Sequence, residues 1–195
     1  MYSSVLIPSS SGNVSNQTAL VTPVSLAFLL LIYALGKWGW KPLWKLPWLG
    51  NILNTQLCPD LNGTWEGSLE SNFKDKDGNN TITPVRLEIK ADMFGFQMTQ
   101  KTLVSPTQKS ASSSEVLQCE VFKDPRTKKF YLYYLYQSTV LNPTKTDDKE
   151  FFGAAKLEVV FHKETMELKG NYWTNRAWQR NQNTAGTISV RRKTD

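Results

Sequence analysis

From residue 61 to the C-terminus, apolar and polar side chains alternate in short runs set between turn signals, and no stretch there carries helical spacing. A period of two puts one strand face on a core and the other in water, which commits the region to antiparallel sheet. About eight runs can be counted: NGTWEGSLESNF, TITPVRLEIKAD, FGFQMTQKTL, EVLQCEVFK, KKFYLYYLYQST, EFFGAAKLEVVFH, ELKGNYWTNR and AGTISVRR. A serine-rich loop is expected over 105–114, a polar loop over 142–149, and tight turns at DKDGNN, DPRT and KETM. Parity places Val85, Leu87 and Ile89 inside, with Leu157, Val159, Phe161, Ile188 and Val190, and it puts Trp65, Gly67 and Leu69 on the inner face, Gly67 leaving space beside the indole. The run at 129–139 resists this sorting because Phe130, Tyr131, Tyr133, Tyr134 and Tyr136 occupy both faces, which predicts outer cover by a second copy or by the preceding segment. Residues 61–195 in eight strands suit a closed all-β antiparallel barrel of the fatty-acid-binding or lipocalin shape, with a two-sheet sandwich as the alternative.

Ahead of the sheet region, TALVTPVSLAFLLLIYALG (18–36) contains no charged side chain. As a helix it reaches roughly 28 Å, near the hydrocarbon thickness of a bilayer. A cleaved signal peptide would want a basic leader and a small-residue cleavage site, and residues 1–36 hold no Lys or Arg, so a transmembrane anchor is the expectation. Lys37, Lys41 and Lys45 follow directly. The positive-inside rule then puts residues 1–17 outside the cell as a short tail and the barrel in the cytoplasm. Residues 37–60 interleave those lysines with Trp38, Trp40, Trp44 and Trp48, and Pro42 and Pro47 argue against a continuous helix. Such a stretch reads as an interfacial collar, or as an imperfect second membrane passage.

Several function classes find no support. Three of the 23 basic residues are the collar lysines, leaving 20 against 17 acids, or +3, which is no footprint for a DNA or RNA polymer. Cys58 and Cys119 are too few and too far apart for a disulfide framework or a zinc site, and suit a reducing compartment. His162, the single histidine, falls on the wet face, so neither a histidine-based nucleophile nor a metal centre is expected. Glu66 and Glu70 share an outer face, and DKDGNN lacks the closing glutamate of a calcium loop. The NVS, NQT, NGT and NNT tripeptides match a glycosylation pattern short enough to arise by chance. No catalytic residue, metal or resident cofactor is expected.

What remains is GNYWTNR, 170–176, where parity carries Tyr172, Thr174 and Arg176 onto the face of Leu168 and Gly170. A buried cation costs several kcal/mol unless paired, and no acid alternates onto that face of the same strand. A guanidinium fork beside aromatic rings suits a phosphate with a stacked base, which makes Tyr172, Thr174 and Arg176 candidate phosphate contacts and Trp65 a wall or stacking surface. Asn175 joins the set if the strand has ended before it. Equally open is a structural role, Arg176 capping carbonyls at a barrel end or stacking on Trp65.

The order of parts is an N-terminal apolar segment, a Trp/Pro junction, LNGTWEG at 61–67, a β-rich middle, GNYWTNR and a late AGTI at 185–188. In this order the chain resembles the two-transmembrane, β-strand-rich effectors of bacterial cyclic-oligonucleotide (CBASS) anti-phage defence. The resemblance implies a non-enzymatic effector anchored in the inner membrane, whose cytoplasmic barrel senses a cyclic di- or trinucleotide made by a partner nucleotidyltransferase, self-associates, disrupts the bilayer and causes abortive infection. One departure is the single convincing span. An anchored carrier of a small apolar ligand is the alternative, with Arg176 meeting a carboxylate.

Overall fold

In the computed structural model the described residues are 14–74, 77–104, 109–143, 148–162, 165–181 and 183–193, with side chains for all but 14–22, 104, 109 and 110. The expected tail up to residue 13, Asp75 and Lys76 of the first turn, 105–108 of the serine-rich stretch, 144–147 of the polar loop and residues 163 and 164 lie outside them.

Eight strands follow one another, β1 (Gly63–Lys74), β2 (Asn80–Ala91), β3 (Phe96–Val104), β4 (Lys109–Lys123), β5 (Phe130–Val140), β6 (Glu150–Phe161), β7 (Met166–Thr174) and β8 (Ala185–Arg192). Each pairs antiparallel with the next, and β8 returns to β1 with Trp65 opposite Arg192 and Leu69 opposite Ile188, so the sheet is a closed barrel and not a sandwich. Every strand is paired on both sides, which is the up-and-down solution to exposed sheet edges.

Direction alternates along the chain, so the connections after β1, β3, β5 and β7 gather at one end and those after β2, β4 and β6 at the other. The second end is plugged. Trp65, Leu87, Leu132, Leu157 and Leu168 are all fully buried, and each large apolar side chain so placed contributes about 1.5–3 kcal/mol. The Trp65 indole N–H donates to the Leu61 carbonyl at 3.0 Å. Arg192, leaving β8, lays its guanidinium 5.3 Å from the Trp65 ring centroid and donates to the carbonyls of Asp60 and Asn62.

Before the barrel, α1 (Val14–Ala34) passes through a π-helical turn (Leu35–Gly39) into α2 (Trp40–Lys45), followed by α3 (Pro47–Ile52) and a second π turn (Leu53–Leu57). Pro23–Lys45 is long and apolar enough to cross a membrane, and among the described residues it is the one such helix. Val24, Leu26 and Phe28–Ile32 stand exposed all round it, as on a helix whose solvent is lipid. Pro42 does not stop the helix as the sequence suggested: the π turn just before it, where Trp40 N–H donates to the Leu35 carbonyl, absorbs the missing donor. The break falls at Leu46, extended with ψ 130° as a residue before proline prefers, and Pro47 opens α3.

Three further expectations need correction. Residues 109–114 are strand β4 and not loop, because Ser112 and Ser114 alternate inward, where both are buried. Phe161 is 42% exposed, since it sits at the end of β6 beyond the inner layer of Leu157 and Val159. Gly67 leaves no space beside the indole: a Cβ there would run into the Ser189 carbonyl oxygen, so the glycine serves the close approach of β8. The double-faced β5 resolves cleanly. Phe130, Leu132, Tyr134 and Tyr136 point inward, and Tyr131 and Tyr133 point outward beneath the Lys156 ammonium, 4.6 and 5.5 Å from their ring centroids.

Candidate ligand-binding site

The end opposite the plug opens into a cavity of about 430 Å³. Its walls come from inward positions near the outer ends of the strands, where the sequence changes from aliphatic to hydroxyl-bearing and aromatic residues. Thr83, Thr102, Ser112, Ser114, Ser138 and Thr184 supply hydroxyls, and Phe73, Tyr136, Phe151 and Tyr172 supply ring faces.

Part of this polar lining is internally satisfied. Thr102 and Ser112 share a hydrogen bond at 2.6 Å, and the deeply buried Tyr134 hydroxyl donates to Gln100 Oε1 at 2.9 Å. Ser138 Oγ, on a residue 1% exposed, has no partner among the described residues, and a buried hydroxyl left unpaired is costly. Burial pushes the Tyr134, Tyr136 and Tyr172 phenols above the ordinary tyrosine range; for Tyr172, Ser71 and Arg176 offset part of the shift. All three therefore stay protonated donors at neutral pH. Tyr136 owes its position to Gly153, since a Cβ there would overlap the phenol ring.

Arg176 lies just past the end of β7, half-buried, with its guanidinium 5.3 Å from the Phe151 ring centroid. It is the one charged side chain among the described lining residues, and it lies within electrostatic reach of the Asp148 carboxylate. Its backbone is held on several sides. Arg176 N–H donates to Thr174 Oγ1 at 3.3 Å, Ala177 N–H to Asp148 Oδ2 at 2.6 Å, and Arg180 to Asp148 Oδ1 at 2.8 Å. Ala177 takes φ 48°, a left-handed backbone that costs a non-glycine residue on the order of 1 kcal/mol and persists only where surrounding bonds fix it. The Ala177 N–H first, then Arg180, hold the Asp148 carboxyl below its ordinary range.

The five residues singled out from sequence separate. Tyr172, Thr174 and Arg176 come together at the cavity, but the Thr174 hydroxyl is engaged with Thr184, 2.8 Å from its Oγ1, and so ties the connection between β7 and β8. Asn175 faces out of the cavity, its Oδ1 accepting the Phe152 N–H at 2.7 Å. Trp65 lies in the plug at the opposite end and does not line the cavity, because it begins β1 whereas Arg176 ends β7. The arginine that stacks on Trp65 and caps carbonyls is Arg192, not Arg176. The serines of β4 and β5 went unnoticed in the sequence, although Ser112 and Ser114 share the parity of an inner face.

Comparison with known proteins gives a family. The model of the Cap15 cyclic dinucleotide receptor domain matches residues 56–192. The chain belongs to this family. A curated relative, CD-NTase-associated protein 15 of Escherichia albertii, is 34% identical over 161 residues, which span 83% of this chain and 74% of that protein. No solved structure matches. The matched region takes in the whole Cap15-type barrel, from the collar's last turn to the final strand. Membership bears out the resemblance to CBASS effectors carried by LNGTWEG and GNYWTNR.

Proposed function

We propose that this chain is a membrane-anchored CBASS effector whose barrel binds a cyclic dinucleotide in the open-end cavity. The observation that carries the reading is the lining: ring faces, uncharged hydroxyl donors and a single guanidinium among the described lining residues. Bases stack on π-faces, ribose and phosphate oxygens take hydroxyl donors, and a phosphate takes the planar arginine fork. In this reading Arg176 and Tyr172 contact phosphate, Phe151 and Tyr136 wall a base, and Thr174 and Asn175 position Arg176. Family membership supports the ligand class. The apolar-carrier alternative is disfavoured by the buried Ser138 hydroxyl, which a hydrocarbon ligand would leave unpaired.

Downstream, bound ligand favours self-association of barrels, gathering their spans and disrupting the bilayer. The outer faces of β5, β6 and β7 support such a contact: Leu135 lies opposite Ala154 and Ala154 opposite Trp173, with Tyr133 and Phe152 beside them, all but Ala154 exposed. An apolar aromatic patch of this kind suits an interface. The test is calorimetric titration of the full chain in detergent with a panel of cyclic dinucleotides and trinucleotides, alongside a chain lacking residues 1–36. A bound nucleotide present at 100 times its dissociation constant raises stability by about 2.7 kcal/mol. Absence of any binder sinks the sensor. Toxicity surviving deletion of residues 1–36 sinks the membrane as its target.

A further inference from the structure

We propose that a second cavity, at the junction between collar and barrel, holds one acyl chain of a membrane phospholipid. It has a volume of about 450 Å³ and lies outside the barrel's plugged end, with Trp40, Trp44 and Leu57 on the collar side and Leu61, Phe96 and Val121 on the barrel side. Ligand sites commonly span about 300–1,000 Å³ and are mainly apolar with a few placed polar groups. No lining residue is shared with the open-end cavity.

Location and polarity select the occupant. Trp40 and Trp44 stand in the last turns of the candidate span, and tryptophans at the end of a span sit at headgroup level. The carboxylates at the cavity edge are already provided for. Asp92 takes the Lys37 ammonium at 2.5 Å, Asp60 Oδ1 accepts both the backbone and the side-chain N–H of Asn62, and Glu120 is exposed to solvent.

One donor is left over. Trp44 Nε1 donates to the Cys58 carbonyl at 2.9 Å, whereas Trp40, packed edge-on against it and 7% exposed, has a buried Nε1 with no partner among the described residues. The carbonyl of an acyl ester is an acceptor of the right kind at the head of an apolar chain. Lys41 and Lys45, exposed and each one residue on from a cavity-lining tryptophan, run as a parallel row on the same helix, where they meet a lipid phosphate.

The test uses the full chain in nanodiscs of phosphatidylethanolamine with a minor fraction of phosphatidylglycerol carrying a diazirine on its acyl chain. After irradiation, peptide mass spectrometry is expected to find label on residues 57–61, 93–96 or 119–121 as well as on the span. Label confined to residues 23–34 would overturn the proposal. Ala91→Trp, which fills the cavity from the end of β2, is expected to remove the junction label and spare the span label; an unchanged junction label also overturns it. Trp40→Phe, which keeps an aromatic ring of smaller size and deletes the donor, is expected to lower junction labelling about 2- to 10-fold, the worth of one hydrogen bond, and no change refutes the ester contact. A diazirine fatty acid that labels the junction as strongly as the phospholipid at equal mole fraction refutes the phospholipid assignment.

Discussion

Asn175 and Phe152 are joined by both of their backbone-directed bonds: the Asn175 N–H donates to the Phe152 carbonyl at 2.9 Å, and the Phe152 N–H donates to Asn175 Oδ1 at 2.7 Å. The side chain thus extends the ladder between β6 and β7 by one step beyond the last strand residue and fixes where Arg176 emerges. Asn175→Ala removes one bond, about 0.5–1.5 kcal/mol, from the positioning of the guanidinium. Calorimetry should show a roughly 2- to 10-fold weaker nucleotide affinity in a protein that still folds. An unchanged affinity would show that Arg176 does not depend on this ladder step.

The two interior-facing arginines are expected to fail in opposite ways. Arg176→Ala should cost about 1.5–3 kcal/mol of nucleotide binding, the range for hydrogen bonds to charged groups, and should abolish toxicity while the protein remains folded and membrane-bound. Arg192→Ala exposes the Trp65 face and strips the carbonyls of Asp60 and Asn62 of their donor. Thermal unfolding should fall by several degrees, with intrinsic nucleotide affinity unchanged below the transition. The reverse assignment of effects would mean that the ligand occupies the plugged end.

Gly153→Ala pushes a methyl group into the Tyr136 ring. Overpacking of this kind costs about 1–3 kcal/mol, and here it also narrows the cavity. Both the melting temperature and nucleotide affinity should drop, whereas Gly78→Ala, in the first turn with nothing near its Cβ but with φ 81°, should affect stability alone. Affinity unaffected by Gly153→Ala would remove Tyr136 from the site.

Asp148 makes the site's pH dependence one-sided. Its folded-state pKa is depressed, so its hold on Ala177 is fully present above the ordinary aspartate value, about 3.9, and is lost as pH falls through the lower folded value. Nucleotide affinity should stay flat between about pH 7 and pH 5 and decline only below about pH 4. Asp148→Asn should bind more weakly throughout and lose that acid-side decline. A wild-type affinity that already falls between pH 7 and pH 5 would point to a different titrating group.

Much of the barrel was legible because a closed sheet makes side-chain parity a strict code. Val85, Leu87 and Ile89 could be read as interior from alternation alone, and β8 could be bounded to the residue. Parity gives the face of a residue but not its height along the barrel axis, which is why Trp65 was grouped with Arg176. The height was recoverable. In an up-and-down barrel, odd-numbered strands run the same way, so the third residue of β1 and the residues after β7 must sit at opposite ends, and Arg192, closing an even strand, must sit beside Trp65. The serines at 112 and 114 were lost for a different reason. Serine-rich composition suggests loop, but an interior that binds polar groups needs hydroxyls where other barrels place valines.

The plugged floor turns the barrel into a cup on a helical stem: the mouth opens at the end away from the helices, and the floor of Trp65, Leu87 and Leu157 separates its contents from the stem. On the proposed reading, a messenger in the cup therefore has no piston to push down the axis, because close-packed interiors move little. Whatever news it carries must leave sideways, through the staves. On the proposed reading, the wall strands that carry the signal outward are also those that a second barrel would touch.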